Sequence, residues 1–140
     1  MNYFLGKTSL KRLETCHPAW LEILTEVLKD SPIDIGVVCG GRDEEEQTLC
    51  YNAKTSNAKW GESDHNWKLG NKLCSIAVDI APYSDKIRGY LTDARSYKLM
   101  SDHVIKVAAR LGYTVDSGVN YTTIVGGDAP HHVLKFRNPN

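Results

Sequence analysis

At 140 residues, with 41% apolar and 24% charged side chains, the chain is long enough for one domain around a single core, without disulfide staples. Seventeen basic side chains balance 17 acidic ones, which excludes the electrostatic footprint of a nucleic-acid or anionic-membrane binder. No apolar run reaches the roughly 20 residues that span a bilayer, and Met1 to Lys7 lacks the charged start and long apolar stretch of a signal peptide. The expectation is a single domain over 1–140 that is made in a cytoplasm, inserts in no membrane and stays monomeric.

Leu10 and Leu13 predict a short opening helix. His17-Pro18 marks a boundary, with proline suited to a first helical turn. Trp20, Leu21, Leu24, Val27 and Leu28 then recur at helical spacing, giving an amphipathic helix that ends near Asp30. After Ser31-Pro32, the alternating, β-branched run Ile33 to Cys39 predicts a strand closed by Gly40-Gly41. Residues 43–53 read as a helix whose acidic start suits its N-terminus. Lys54 to Leu73 is polar and without period, a long loop of the kind that carries function in a compact domain. Cys74 to Ala81 predicts the second strand. Thr92 or Asp93 caps a helix with the buried stripe Tyr97, Met100, Val104, Val107, Ala108 and Leu111, stopped by Gly112. Tyr113 to Asp116 and His132 to Phe136 predict two further strands, separated by a turn at Gly126-Gly127. The pattern is α+β: a small antiparallel sheet with helices packed on one face.

Cys16, Cys39, Cys50 and Cys74 form no C-x-x-C pair and no metal-type spacing. They are expected as free, mostly buried thiols without a role. Cys74, beside the second strand, lies nearest to the chemistry.

That chemistry gathers at three places. Asp79 is the lone charge in Ile76-Ala77-Val78-Asp79-Ile80-Ala81, and a carboxylate among small apolar neighbours is costly unless paired or bound to a cation. His131 and His132 are adjacent, so on a strand only one of them faces a shared site; the sequence leaves open which. Asp128, three residues before His131, is placed to reach a water without taking a ligand position. His65 sits in the long loop beside Ser63 and Asp64. Two imidazoles and one carboxylate, with a second carboxylate as base, are the inventory of a catalytic zinc site. His17, at a helix start, and His103, off the apolar stripe of its helix, read as structural.

In order along the chain, Gly40-Gly41-Arg42, Gln47, Ser63-Asp64-His65, Ala77-Val78-Asp79 and Asp128-Ala129-Pro130-His131 resemble the motif set of the M15 zinc peptidases. That family contains D-alanyl-D-alanine carboxypeptidases, dipeptidases and phage L-alanyl-D-glutamate endopeptidases. The opening Phe4-Leu5-Gly6-Lys7-Thr8-Ser9 and the run Asp79-Ile80-Ala81-Pro82-Tyr83 are similar to the phage branch. The resemblance implies the D,D-peptidase/hedgehog-type zinc peptidase fold. It also implies Zn2+ held by His65, Asp79 and His131, with Asp128 as general base. Arg42 would stabilise the oxyanion or a substrate carboxylate. Gln47, Ser63, Asn120 and Tyr121 would contact substrate. Asp79 follows His65 by 14 positions, a wider gap than is usual in the family, so Asn66 to Ser75 is expected to bulge out as an inserted loop.

The reading that follows is a phage endolysin acting on peptidoglycan stem peptides, released from the host cytoplasm through a holin. A D,D-carboxypeptidase or dipeptidase of the same fold is the enzymatic alternative. A non-catalytic wall-binding domain is the alternative of another class.

Overall fold

The structure, a computed structural model, describes residues 3–120 and 128–135. The chain opens with α1 (Lys7–Leu13) and α2 (Pro18–Lys29). Pro18 occupies the first turn of α2, and the His17 ring caps it, Nδ1 accepting from the Ala19 amide at 3.1 Å. Trp20, Ile23, Leu24 and Val27 of α2 are fully buried. The Trp20 indole donates to the Ile76 carbonyl at 2.9 Å, pinning the helix to the sheet through its one polar atom.

Next come β1 (Asp34–Cys39) and α3 (Glu44–Asn52). Asp43 and Glu46 close a capping box at the start of α3, which is what its acidic cluster does. The predicted long loop is not featureless. It holds a 3-10 turn over Asp64–Asn66 and a small hairpin of β2 (Lys68–Leu69) and β3 (Lys72–Leu73), turned by Gly70 at φ +63°. The Cys74 amide donates to the Trp67 carbonyl at 2.8 Å and ties the hairpin at its base. Two-residue strands are too short for periodicity to reveal.

The second large strand, β4, spans Ala77–Ser84, three residues later than the predicted Cys74 to Ala81. Pro82 misleads the sequence reading because it suggests a strand end. Ile80 sends its N–H to the Pro130 carbonyl, so the missing N–H of Pro82 falls on the same side, beyond the start of the neighbouring strand. No ladder bond is lost there. After β5 (Gly89–Tyr90), Asp93 caps α4 (Ala94–Arg110), accepting from the Ser96 amide at 2.9 Å. Gly112 ends the helix at φ +90°, a conformation that favours glycine. Then follow β6 (Thr114–Ser117), a 3-10 turn over Gly118–Asn120, and β7 (His131–Lys135). The predicted turn at Gly126-Gly127 and the residue Phe136 lie outside the described residues.

The sheet order is β1-β4-β7-β6, with β5 on β4, and every pairing is antiparallel. Met100, Val104, Val107 and Ala108 of α4 join α2 and the sheet in one core. The fold is therefore the expected mixture of helices and a small antiparallel sheet. Among the described residues, no helix is long and apolar enough to cross a membrane.

Candidate active site

Strand register places the site. Asp79 on β4 lies opposite His131 on β7 and opposite Cys39 on β1. Directly opposed residues of antiparallel strands share a face, so a thiol, a carboxylate and an imidazole form one row across three strands. His65 joins them from the 3-10 turn. Ser63 caps that turn, its hydroxyl accepting from the His65 amide at 3.2 Å, and Asn66 closes the capping box.

The His65 ring is held at its far side, where Nδ1 lies 2.7 Å from the Gly40 carbonyl. A carbonyl only accepts, so Nδ1 carries the proton and Nε2 is turned towards Asp79 Oδ1, 3.3 Å away. Gly40 has to be glycine here, because a Cβ would run into the Arg12 carbonyl and the Thr15 hydroxyl. His131 Nδ1 approaches the same Asp79 Oδ1 to 3.5 Å. Asp79 Oδ1 is nonetheless buried without a hydrogen bond, the one such side-chain atom among the described residues. A buried carboxylate oxygen without a hydrogen bond, facing two imidazole nitrogens, is a donor set that could hold a cation.

The same contacts shift the titration of these groups. Burial opposes ionisation of Asp79, yet His131 and His65 beside it hold its carboxyl below the usual carboxylate range. Burial likewise disfavours a charged His65, but contact with Asp79 and Cys39 raises its pKa to about 10. Burial also pushes the Cys39 thiol up, and contacts with His65 and Arg42 outweigh it and bring it below its ordinary value. Cys39, His65 and Asp79 each offer a ligand atom within 4.8 Å of the others, the one such cluster among the described residues.

A cavity of about 580 Å³ opens onto this centre. Arg42, Ser63, His65, Asp79, Asp128 and His131 line it, together with residues 55–58 and Glu62. Asp128 is exposed on its wall, and its backbone is clamped at both ends. Its amide donates to the Gly118 carbonyl at 2.8 Å, and its carbonyl accepts from the His131 amide at 3.0 Å. A Cβ on Gly118 would overlap the Asp128 carbonyl, so glycine is required for this approach. Arg42 reaches Asp79 Oδ2 with Nη2 at 3.5 Å and Gln47 Oε1 with Nη1 at 3.4 Å, and its amide donates to the His65 carbonyl at 2.8 Å. It therefore serves the site rather than the acidic start of α3.

Several expectations are corrected. Gln47 is fully buried and not on the cavity wall. Its amide donates to Ser56 Oγ and the Ala58 carbonyl and accepts from Arg42 and Asn66, so it braces the site instead of touching substrate. The histidine doublet resolves. His132 is fully buried on the opposite face, with Nδ1 2.8 Å from the Pro130 carbonyl and Nε2 2.9 Å from Ser101 Oγ. Burial pushes its pKa down to about 4, so it is a neutral core residue. The wide gap between His65 and Asp79 is taken up by the tied hairpin, which leaves the two side chains adjacent. The four cysteines are free, as expected, but only Cys16 is buried. Cys39, not Cys74, is the one in the site. Spacing could not show this, because cross-strand register brings it in. Asn120 ends the second 3-10 turn, and its side chain and all of Tyr121 lie outside the described residues. His17 and His103 are structural, His103 Nε2 lying 3.2 Å from both the Val27 carbonyl and Asp30.

Residues 1–131 match the family model for phage L-alanyl-D-glutamate peptidases. The chain belongs to this family. A solved structure with the same fold is the Serratia marcescens L-Ala D-Glu endopeptidase ChiX, at a TM-score of 0.76 and 22% identity, covering 97% of this chain and 91% of that one. No curated protein matches the sequence. Membership makes the protein a peptidase of the phage lytic type, from a family whose members are in general zinc enzymes.

Proposed function

We propose that the chain cleaves the L-alanyl-D-glutamate bond of peptidoglycan stem peptides, as a phage endolysin, by water attack at a zinc site formed by His65, Asp79 and His131. The observation that carries this is the buried Oδ1 of Asp79, without a hydrogen bond yet within 3.3 Å and 3.5 Å of two imidazole nitrogens. Two histidines and a carboxylate are a donor set that zinc accepts with a position left open for water. When bound, zinc would supply Lewis acidity to the scissile carbonyl and acidify the attacking water.

The remaining work falls to the chain's own groups. Asp128, on the cavity wall and outside the ligand row, takes the proton of the attacking water and returns it to the amine of D-glutamate as that amine leaves. The products are a new L-alanine carboxylate and a new D-glutamate amino end. Arg42 presents its donor fork to the developing oxyanion or to a substrate carboxylate, a task for a planar, permanently charged group. Asp79 Oδ2 and the buried Gln47 hold the guanidinium at that position. His65 is fixed by its Nδ1–H bond to Gly40, which keeps Nε2 available to the metal. Ser63 stands on the cavity rim and caps the turn that carries His65. Asn120 and Tyr121 would contact substrate in this reading. The enzyme acts as a monomer, made in the host cytoplasm and reaching the wall after holin release.

Mass spectrometry of purified peptidoglycan digested by the zinc-loaded protein tests the specificity. New N-terminal D-glutamate ends that vanish with chelator are expected. Release of free D-alanine instead would reassign the protein to carboxypeptidase chemistry.

A further inference from the structure

Cys39 has no part in the mechanism above, yet the fold aims it at the same centre. The β1–β4 register slips between Val37 and Cys39, so that Cys39 and not Val38 comes opposite Asp79. His131 comes opposite Asp79 from the other neighbouring strand. A thiol that only fills space behaves like Cys16, which is buried in the core. Cys39 instead places its sulfur within 4.8 Å of ligand atoms of both His65 and Asp79. It does not act as a donor to the carboxylate, since Asp79 Oδ1 has no hydrogen bond, and its Sγ lies 3.5 Å from the Gly40 carbonyl. The thiol and the unsatisfied oxygen are separate observations that converge on one point.

We infer that the Cys39 thiolate is a fourth protein ligand, completing His65, Asp79 and His131 around the metal in the resting enzyme. This rests on the metal reading of the preceding section and adds a state to it. One sulfur, two nitrogens and one oxygen make a closed tetrahedral set of the kind that holds zinc firmly. On metal binding the Cys39 thiol gives its proton to solvent. With all four residues bound, the set would retain zinc and would compete with water for it.

Cobalt(II), which reports its ligands by absorption, tests the assignment on the full-length metal-free protein. Wild type is expected to show d–d bands together with a near-ultraviolet sulfur-to-cobalt charge-transfer band. Cys39→Ser is expected to lose the sulfur band, keep the d–d bands and bind cobalt on the order of tenfold more weakly or worse. Cys16→Ser, Cys50→Ser and Cys74→Ser should each keep the sulfur band. That series assigns the sulfur by exclusion even if Cys39→Ser fails to fold. d–d bands without a sulfur band in wild type would overturn the role of Cys39 and leave the histidine–aspartate site standing. A sulfur band lost in one of the other three variants would also overturn it. Failure of wild type to take up cobalt at all would remove the metal reading itself.

Discussion

The two faces of the β4–β7 pair use the same chemistry to opposite ends. On one face His131 stands opposite Asp79, whose buried oxygen has no hydrogen bond, at the foot of an open cavity. On the other, His132 is sealed under α4 with Ser101 and Ser117, and every polar group has a partner. Ser117 donates to Ser101 at 3.1 Å, Ser101 donates to His132 Nε2, and His132 Nδ1–H donates to the Pro130 carbonyl. One peptide unit separates the two rings. The difference is in satisfaction: a closed hydrogen-bond chain fixes a core, whereas an unfinished one makes a site for a ligand.

Substitutions on the open face should destroy activity and spare the fold. Asp79→Ala removes the centre of the ligand row, and the loss of several kcal/mol of metal-derived stabilisation lowers kcat by about 10³-fold or more. Thermal melts of the metal-free protein should show no loss of stability, since an uncompensated buried carboxylate is removed. Asp128→Asn should lower kcat by roughly 10²–10⁴-fold, with zinc content per chain unchanged. Steady-state cleavage of a stem peptide alongside elemental analysis separates the two effects.

How much of this was legible beforehand follows from which signals are local. The helices, β1 and the α4 cap were readable because apolar spacing and capping residues lie within a few positions of each other. Asp79 and His131 were visible as chemistry, and the family motifs supplied the roles proposed for them. Strand alternation could not choose between His131 and His132, because that depends on which face of β7 meets α4, and only the family motif favoured His131. Cys39 was missed for the same reason, since only the slip in the β1–β4 register brings it opposite Asp79. Gln47 was taken for a substrate contact, but a polar residue gives no sequence sign of being fully buried and bonded from four sides. Pro82 ended the predicted β4 too early, because proline tolerance depends on where the neighbouring strand begins.

On the closed face the effects should reverse, with stability falling and chemistry largely kept. His132→Ala should cost about 2–3 kcal/mol, from a cavity and unpaired serine hydroxyls, measured by urea unfolding. The same residue sets an acid limit. Its folded pKa of about 4 lies below the unfolded value of roughly 6.5. Between these values the unfolded chain binds the extra proton, so stability is fully present above about pH 6.5 and is lost as pH falls towards 4. His132→Asn should flatten that slope; an unchanged slope would place the acid sensitivity elsewhere. The smallest effect belongs to the hairpin. Replacing residues 68–73 by an Asn-Gly turn between Trp67 and Cys74 should change stability by no more than about 0.5 kcal/mol, because loop length itself weighs little.

The most direct measurement is zinc content per chain for wild type, His131→Ala and His132→Asn, purified and reloaded identically. The account predicts about one zinc in wild type and in folded His132→Asn, and none retained by His131→Ala. Full zinc in His131→Ala, or its loss only in His132→Asn, would contradict it.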